Sequence, residues 1–189
     1  MSSEKPRILQ DSRDMVLSLA VMAVLMVVFV GTTGLCSYHP GRPENGPVQE
    51  VDADAFVQME ASRVPYPVVL PDVPEGWVPN SARASVVAEH QATIIGFVTT
   101  EGDYIQLLQT DAPIDGLPSG TDARIASGTV NAGGAEWTIS EGVDDNVRRT
   151  WTTDAGKVRY EIQGSANDDE YRTLAEATLG ADPVAKPNQ

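Results

Sequence analysis

Cysteine is almost missing from this chain: Cys36 is the only one in 189 residues. No intrachain disulfide is possible, so any domain here must be held together by its core. Histidine is nearly as rare, with His39 and His90 alone, which excludes a zinc site of clustered Cys and His. A serine nucleophile has no G-x-S-x-G elbow, because Gly164-Ser165-Ala166 and Ser119-Gly120 lack its spacing. There is no phosphate-binding loop, no dinucleotide fingerprint and no N-x-[ST] sequon. The triplet Asp144-Asp145-Asn146 offers oxygens, but the D-x-[DN]-x-[DN]-G calcium pattern is absent and turn-forming side chains account for it. Asp168-Asp169-Glu170 is likewise chemistry suited to the start of a helix. Basic residues are scarce, 13 against 27 acidic ones, and the net charge of −14 disfavours nucleic acid as a partner. The expectation is no metal, no cofactor and no enzyme.

What the chain does have is an apolar run. Met15 to Leu35 carries no charged residue, and Val16 to Val30 is nearly all aliphatic. At 1.5 Å per residue that run would reach roughly 31 Å as a helix, about one bilayer core. It therefore predicts a transmembrane helix over 15–35, with a cleaved signal peptide or a lipoprotein signal as the other readings. Lys5, Arg7 and Arg13 before the run, against Arg42 after it, predict a cytoplasmic N-terminus and an extracytoplasmic domain. The three acidic and three basic residues before Leu35 cancel, so the whole negative charge falls on the remainder.

The organisation expected is a cytoplasmic segment 1–14, the membrane helix 15–35, a Pro- and Gly-rich linker 36–51, an α+β domain 52–180 and a disordered tail 181–189. Within the domain a short helix starts near Asp52 or Asp54 with Ala55, Phe56 and Met59 as its apolar face. Val64 to Pro71 is extended because each of its prolines drives its predecessor out of the helical region. Strands are expected at Ser81–Val87, Thr93–Thr100, Tyr104–Thr110, Thr129-Val130, Glu136–Ser140, Val147–Thr153 and Lys157–Gln163, with Asp111–Ser127 a loop. In the last strand Val158, Tyr160 and Ile162 alternate with Arg159, Glu161 and Gln163, so one face is buried and the other wet. Asp168–Leu179 closes the domain as an amphipathic helix stopped by Gly180. The sum is an antiparallel meander of six or seven strands with one short and one longer C-terminal helix packed on it.

For a binding surface the candidates are Trp77, Tyr104 and Trp151 together with Arg148 and Arg149, which would line a groove for a wall polymer or peptide, with core or cross-strand packing as the other reading of Trp151. A paired-carboxylate hydrolase is the alternative, since acidic residues abound and their separation in space is not readable.

Several segments in order carry a family likeness: Arg13-Asp14-Met15-Val16-Leu17-Ser18, Tyr66-Pro67-Val68, Pro74-Glu75-Gly76-Trp77, Thr100-Glu101-Gly102-Asp103-Tyr104-Ile105-Gln106-Leu107, Trp151, and Tyr160-Glu161-Ile162-Gln163-Gly164-Ser165-Ala166. Over Asp11 to Leu179 the chain resembles an actinobacterial family of membrane-anchored proteins known as domain of unknown function 4245. The resemblance implies a single-pass cell-membrane protein with an extracytoplasmic α+β domain, and it brings no catalytic residues. The expected function is binding of an envelope protein, cell-wall or lipid component; an envelope hydrolase or a ligand-free assembly factor are the alternatives.

Overall fold

The computed structural model describes residues 7–33 and 48–186. It divides into two units, 1–46 and 47–189. The described part of the first is one helix, α1, Arg7–Thr33.

Here the membrane reading has to be corrected. Among the described residues, no helix is long and apolar enough to cross a membrane. The helix begins eight residues before the apolar run, in a sequence bearing Arg7, Asp11, Arg13 and Asp14. The transmembrane helix over 15–35, the single-pass topology, the extracytoplasmic cell-membrane localisation and the membrane and envelope partners fall with it. Cys36 and most of the expected linker lie outside the described residues.

The second unit is built on a seven-stranded antiparallel sheet. Its strands are β1 (Val78–Val87), β2 (His90–Val98), β3 (Tyr104–Thr110), β4 (Arg124–Ala132), β5 (Ala135–Gly142), β6 (Thr150–Asp154) and β7 (Arg159–Gly164). Their spatial order is β1-β2-β3-β7-β6-β5-β4, so this is not one continuous meander. Residues 111–123 carry the chain from β3, mid-sheet, to the far edge; β4 to β7 then meander back until β7 pairs with β3. The strand β4 starts within the segment expected as loop. Its residues are mostly exposed and it bulges between Ala126 and Gly128, so it shows none of the apolar alternation that marks a strand. Between β1 and β2 the turn falls on Ala88 and Glu89, both at positive φ (46° and 69°), which a tight hairpin turn requires even of non-glycine residues.

Two helices flank the sheet: α2 (Ala53–Arg63) and α3 (Asp168–Gly180). Asp52 caps α2 by accepting from the Ala55 amide at 2.9 Å. The buried face of α2 is Ala53, Val57 and Ala61 with Glu60; of the three residues expected there, Phe56 packs partly buried against the core, whereas Ala55 and Met59 are exposed. Small residues at a spacing of four let the helix lie close on the sheet. Asn167 caps α3, accepting from the Asp169 and Glu170 amides, while the Glu170 carboxylate accepts from the Asn167 amide.

Both helices cover the same sheet face. The main core joins Val57 and Ala61 of α2 and Tyr171, Leu174 and Ala175 of α3 to alternate strand residues such as Ile95, Leu107, Trp151 and Ile162. The extended segment 64–71 also runs there, and Gln109 holds it by its backbone: Nε2 donates to Val69 O and Oε1 accepts from Val69 N, both at 2.8 Å. After α3 the chain pairs again, with Val184 N donating to Val68 O at 2.8 Å and Val69 bridging Pro183. On the opposite face a smaller apolar cluster (Val87, Ala92, Ile94, Leu108, Ala112, Leu117) is roofed by part of the 111–123 loop. The rest of that outer face holds the candidate site.

Candidate functional site

In an antiparallel sheet, paired residues point to the same side, so register alone assembles the outer face. Ser81 pairs with Gly96, Gly96 with Gln106, Gln106 with Gln163, and Gln163 with Thr150. Five strands thus contribute one transverse row of small and polar residues. Gly96 is what lets it close. A Cβ there would collide with Ser81 Oγ and the hydroxyl end of Tyr104, so the hydroxyl end of Tyr104 takes the space a side chain would fill.

The row is hydrogen-bonded along its length. Tyr104 donates its hydroxyl to Gln106 Oε1 at 3.1 Å, which leaves the Ser81 hydroxyl to donate to Tyr104 Oη, also at 3.1 Å. Arg83 Nη2 donates to the same Gln106 Oε1 at 3.0 Å, and Gln106 Nε2 donates to Gln163 Oε1 at 3.2 Å. Arg148 places its guanidinium 5.7 Å from the Tyr104 ring centroid, a cation–π contact. Thr150 is wholly buried at the end of the row, and its Oγ1 has no hydrogen-bond partner.

Of the five residues expected to share a binding surface, the structure brings together Tyr104 and Arg148. Trp151 is 2 % exposed and packs on Tyr171 with centroids 5.3 Å apart, so its ring belongs to the core. Trp77 is half-buried against Phe97, 6.5 Å between centroids. Arg149 stands over the Tyr171 ring at 5.2 Å and is ion-paired with Asp168 and Glu141. Successive residues 148 and 149 thus serve opposite faces. Ser81, Arg83, Gln106, Gln163 and Thr150 were missed, although the outward alternation of Gln163 with Tyr160 and Ile162 signalled one of them.

Beside the row lies Glu161, only 1 % exposed. Its carboxylate accepts from the Ser119 amide at 2.6 Å and the Ser119 hydroxyl at 2.9 Å, which ties the long loop to β7. Burial pushes its pKa up from the ordinary carboxylate value, against the opposing pull of Ser119 and the nearby Arg124. Burial also raises Tyr160, and it lifts Tyr66 and Tyr171 to about 12. Tyr66 donates to Gln109 O at 2.9 Å, and Tyr171 donates to Arg149 O at 2.7 Å. These groups brace the fold.

A separate cleft of about 500 Å³ opens at the start of α2, with Glu50, Asp52, Asp54 and Asp72 around Leu70 and Phe97. Among the described residues, no group of three or more His, Cys, Asp or Glu is placed to hold a metal ion. His90 Nδ1 lies 3.0 Å from Asp111 Oδ1, a pair that joins the start of β2 to the residue following β3.

The chain matches the family model described as "Protein of unknown function (DUF4245)" over residues 7–178. It belongs to that family. No curated protein and no solved structure matches it. The DUF4245 segment takes in α1, the whole sheet and nearly all of α3, so every residue of the outer row lies inside it.

Proposed function

We propose that this DUF4245 domain is a non-catalytic binding module that lays an extended ligand across the outer face of its sheet, over Ser81, Gln106 and Gln163. The observation that carries this reading is the row itself. Helices cover one face of the sheet and a loop roofs part of the other. The unroofed strip of that outer face carries amides, hydroxyls, an aromatic ring and two arginines. From β1 to β7 it spans three strand spacings, roughly 14 Å, a footprint suited to a polymer segment. The non-catalytic part of the reading is supported by Glu161, whose altered proton affinity is enclosed by Ser119 instead of facing a cleft.

The test is to titrate the full chain with poly-L-glutamate, polygalacturonate, dextran and poly-L-lysine, following oxidative footprinting of Tyr104. Protection of Tyr104 by one of these polymers, left at its original length, is the expected result. Shortened polymer products would overturn the non-catalytic part, and protection by none of them would overturn the binding face.

A further inference from the structure

We infer that the outer row takes a short acidic peptide in extended form, its backbone met by the half-buried amide of Gln163 and its carboxylates by the exposed Arg83 and Arg148. This rests on the binding face proposed above and names its ligand.

Charge supplies the first argument. Acidic residues outnumber basic ones two to one, and Arg63, Arg124, Arg149 and Arg159 each lie within 4.0 Å of a carboxylate. Among the described residues no ion pair reaches Arg83 or Arg148. Arg83 donates to the neutral Gln106, and Arg148 rests on Tyr104. Both guanidiniums therefore converge on the one Tyr104–Gln106 pair with forks able to take a carboxylate bidentately. A chain at −14 repels a long polyanion over its whole surface, whereas a segment with a few carboxylates meets mainly the local field of these two cations.

The second argument is that this fold already reads an extended backbone with a β3 glutamine. On the inner face, Gln109 clamps Val69 through one donor and one acceptor at 2.8 Å each. On the opposite face Gln106 is buried and engaged with Arg83, Tyr104 and Gln163, so the half-buried Gln163 beside it is the glutamine left to meet a ligand backbone. At the end of the row the buried Thr150 hydroxyl has no partner. A polar side chain in that state costs free energy until a ligand or water satisfies it.

The experiment is calorimetric titration of the full chain with three capped heptapeptides alternating serine with glutamate, glutamine or lysine, with Tyr104 footprinting in parallel. The glutamate peptide is expected to protect Tyr104 and to bind about tenfold more tightly than the glutamine peptide. Arg83→Gln and Arg148→Gln are each expected to remove most of that advantage, and Arg172→Gln, on the exposed side of α3, to leave it intact. Equal or tighter binding of the glutamine or lysine peptide at Tyr104 overturns the acidic ligand while leaving the binding face standing. Glutamate-peptide binding that is indifferent to both arginine variants overturns it too. If no peptide protects Tyr104 but a polysaccharide does, the peptide is overturned alone; if nothing protects Tyr104, inference and binding face fall together.

Discussion

Replacing Gln109 tests whether the segment 64–71 is held by a side chain reading its backbone. Gln109 is fully buried, and its amide makes both hydrogen bonds available to Val69, donating to the carbonyl and accepting from the N–H. Leucine has similar volume and no polar atom, so Gln109→Leu leaves two buried backbone groups unpaired. Each such group costs about 1–3 kcal/mol, and the expected loss is about 3 kcal/mol. For a domain of this size that is roughly a 10 °C fall in Tm. Gln109→Glu sharpens the test because it keeps the acceptor and loses the donor at neutral pH. Its carboxylate would be buried against the Val69 carbonyl, which raises its folded-state pKa above the unfolded value of about 4.3. The folded state then binds the proton more tightly, so stability is lost as pH rises from about 4.3 through the folded value. Below that window the protonated acid donates to Val69 O and approaches wild type. Urea denaturation of the full chain, followed by tryptophan fluorescence from pH 4.5 to 7.5, measures both effects. A Gln109→Leu protein within about 0.5 kcal/mol of wild type, or a Gln109→Glu protein whose deficit is the same at both ends of the range, would refute the reasoning.

Further outcomes follow from Glu161 and from the cap of α3. Glu161 has its pKa raised by burial, so its folded form favours the proton and its ionisation destabilises the fold as pH rises above about 4.5. Glu161→Gln should therefore gain relative to wild type as pH climbs past that point; denaturation midpoints of the pair that run parallel across the range would contradict this. Asn167→Ala removes the acceptor for two amides at the start of α3 and should lower stability by about 1 kcal/mol with an unchanged m-value. Adding Glu170→Ala should cost less than the sum of the two single changes, because the two residues form one capping box.

Much of the sheet was legible because its central strands carry their pattern locally. Tyr104–Thr110 matches β3 at both ends, and Asp168–Leu179 falls one residue short of α3. What could not be read was order in space. The place of β7 beside β3 is fixed by packing between segments about 50 residues apart, and no local alternation encodes it. Local pattern revealed only Thr129-Val130 of β4, an edge strand with little to bury. On α2 the error was one of rotation. Phe56 and Met59 are the larger apolar residues, but capping at Asp52 and the close approach to the sheet select the face of Ala53, Val57 and Ala61. The apolar run of α1 was judged by composition over 15–35, whereas among the described residues no helix is long and apolar enough to cross a membrane.

The site was harder than the fold because residue type points the wrong way. Tryptophan next to arginine suggests an exposed groove, yet a bulky ring is what a sheet-on-helix core needs, and Trp151 fills it against Tyr171. Glutamine in a strand, by contrast, looks uninformative, since it occurs on wet faces with no further purpose. In β3 the three-residue spacing from Gln106 to Gln109 puts one amide on each side of the sheet. The inner one is committed to Val69, whereas the outer one is committed to side chains of the row. That difference comes from which strands and loops lie over each face. The same residue type on the same strand thus clamps a backbone on one side and braces the polar row on the other, and only the tertiary arrangement separates the two.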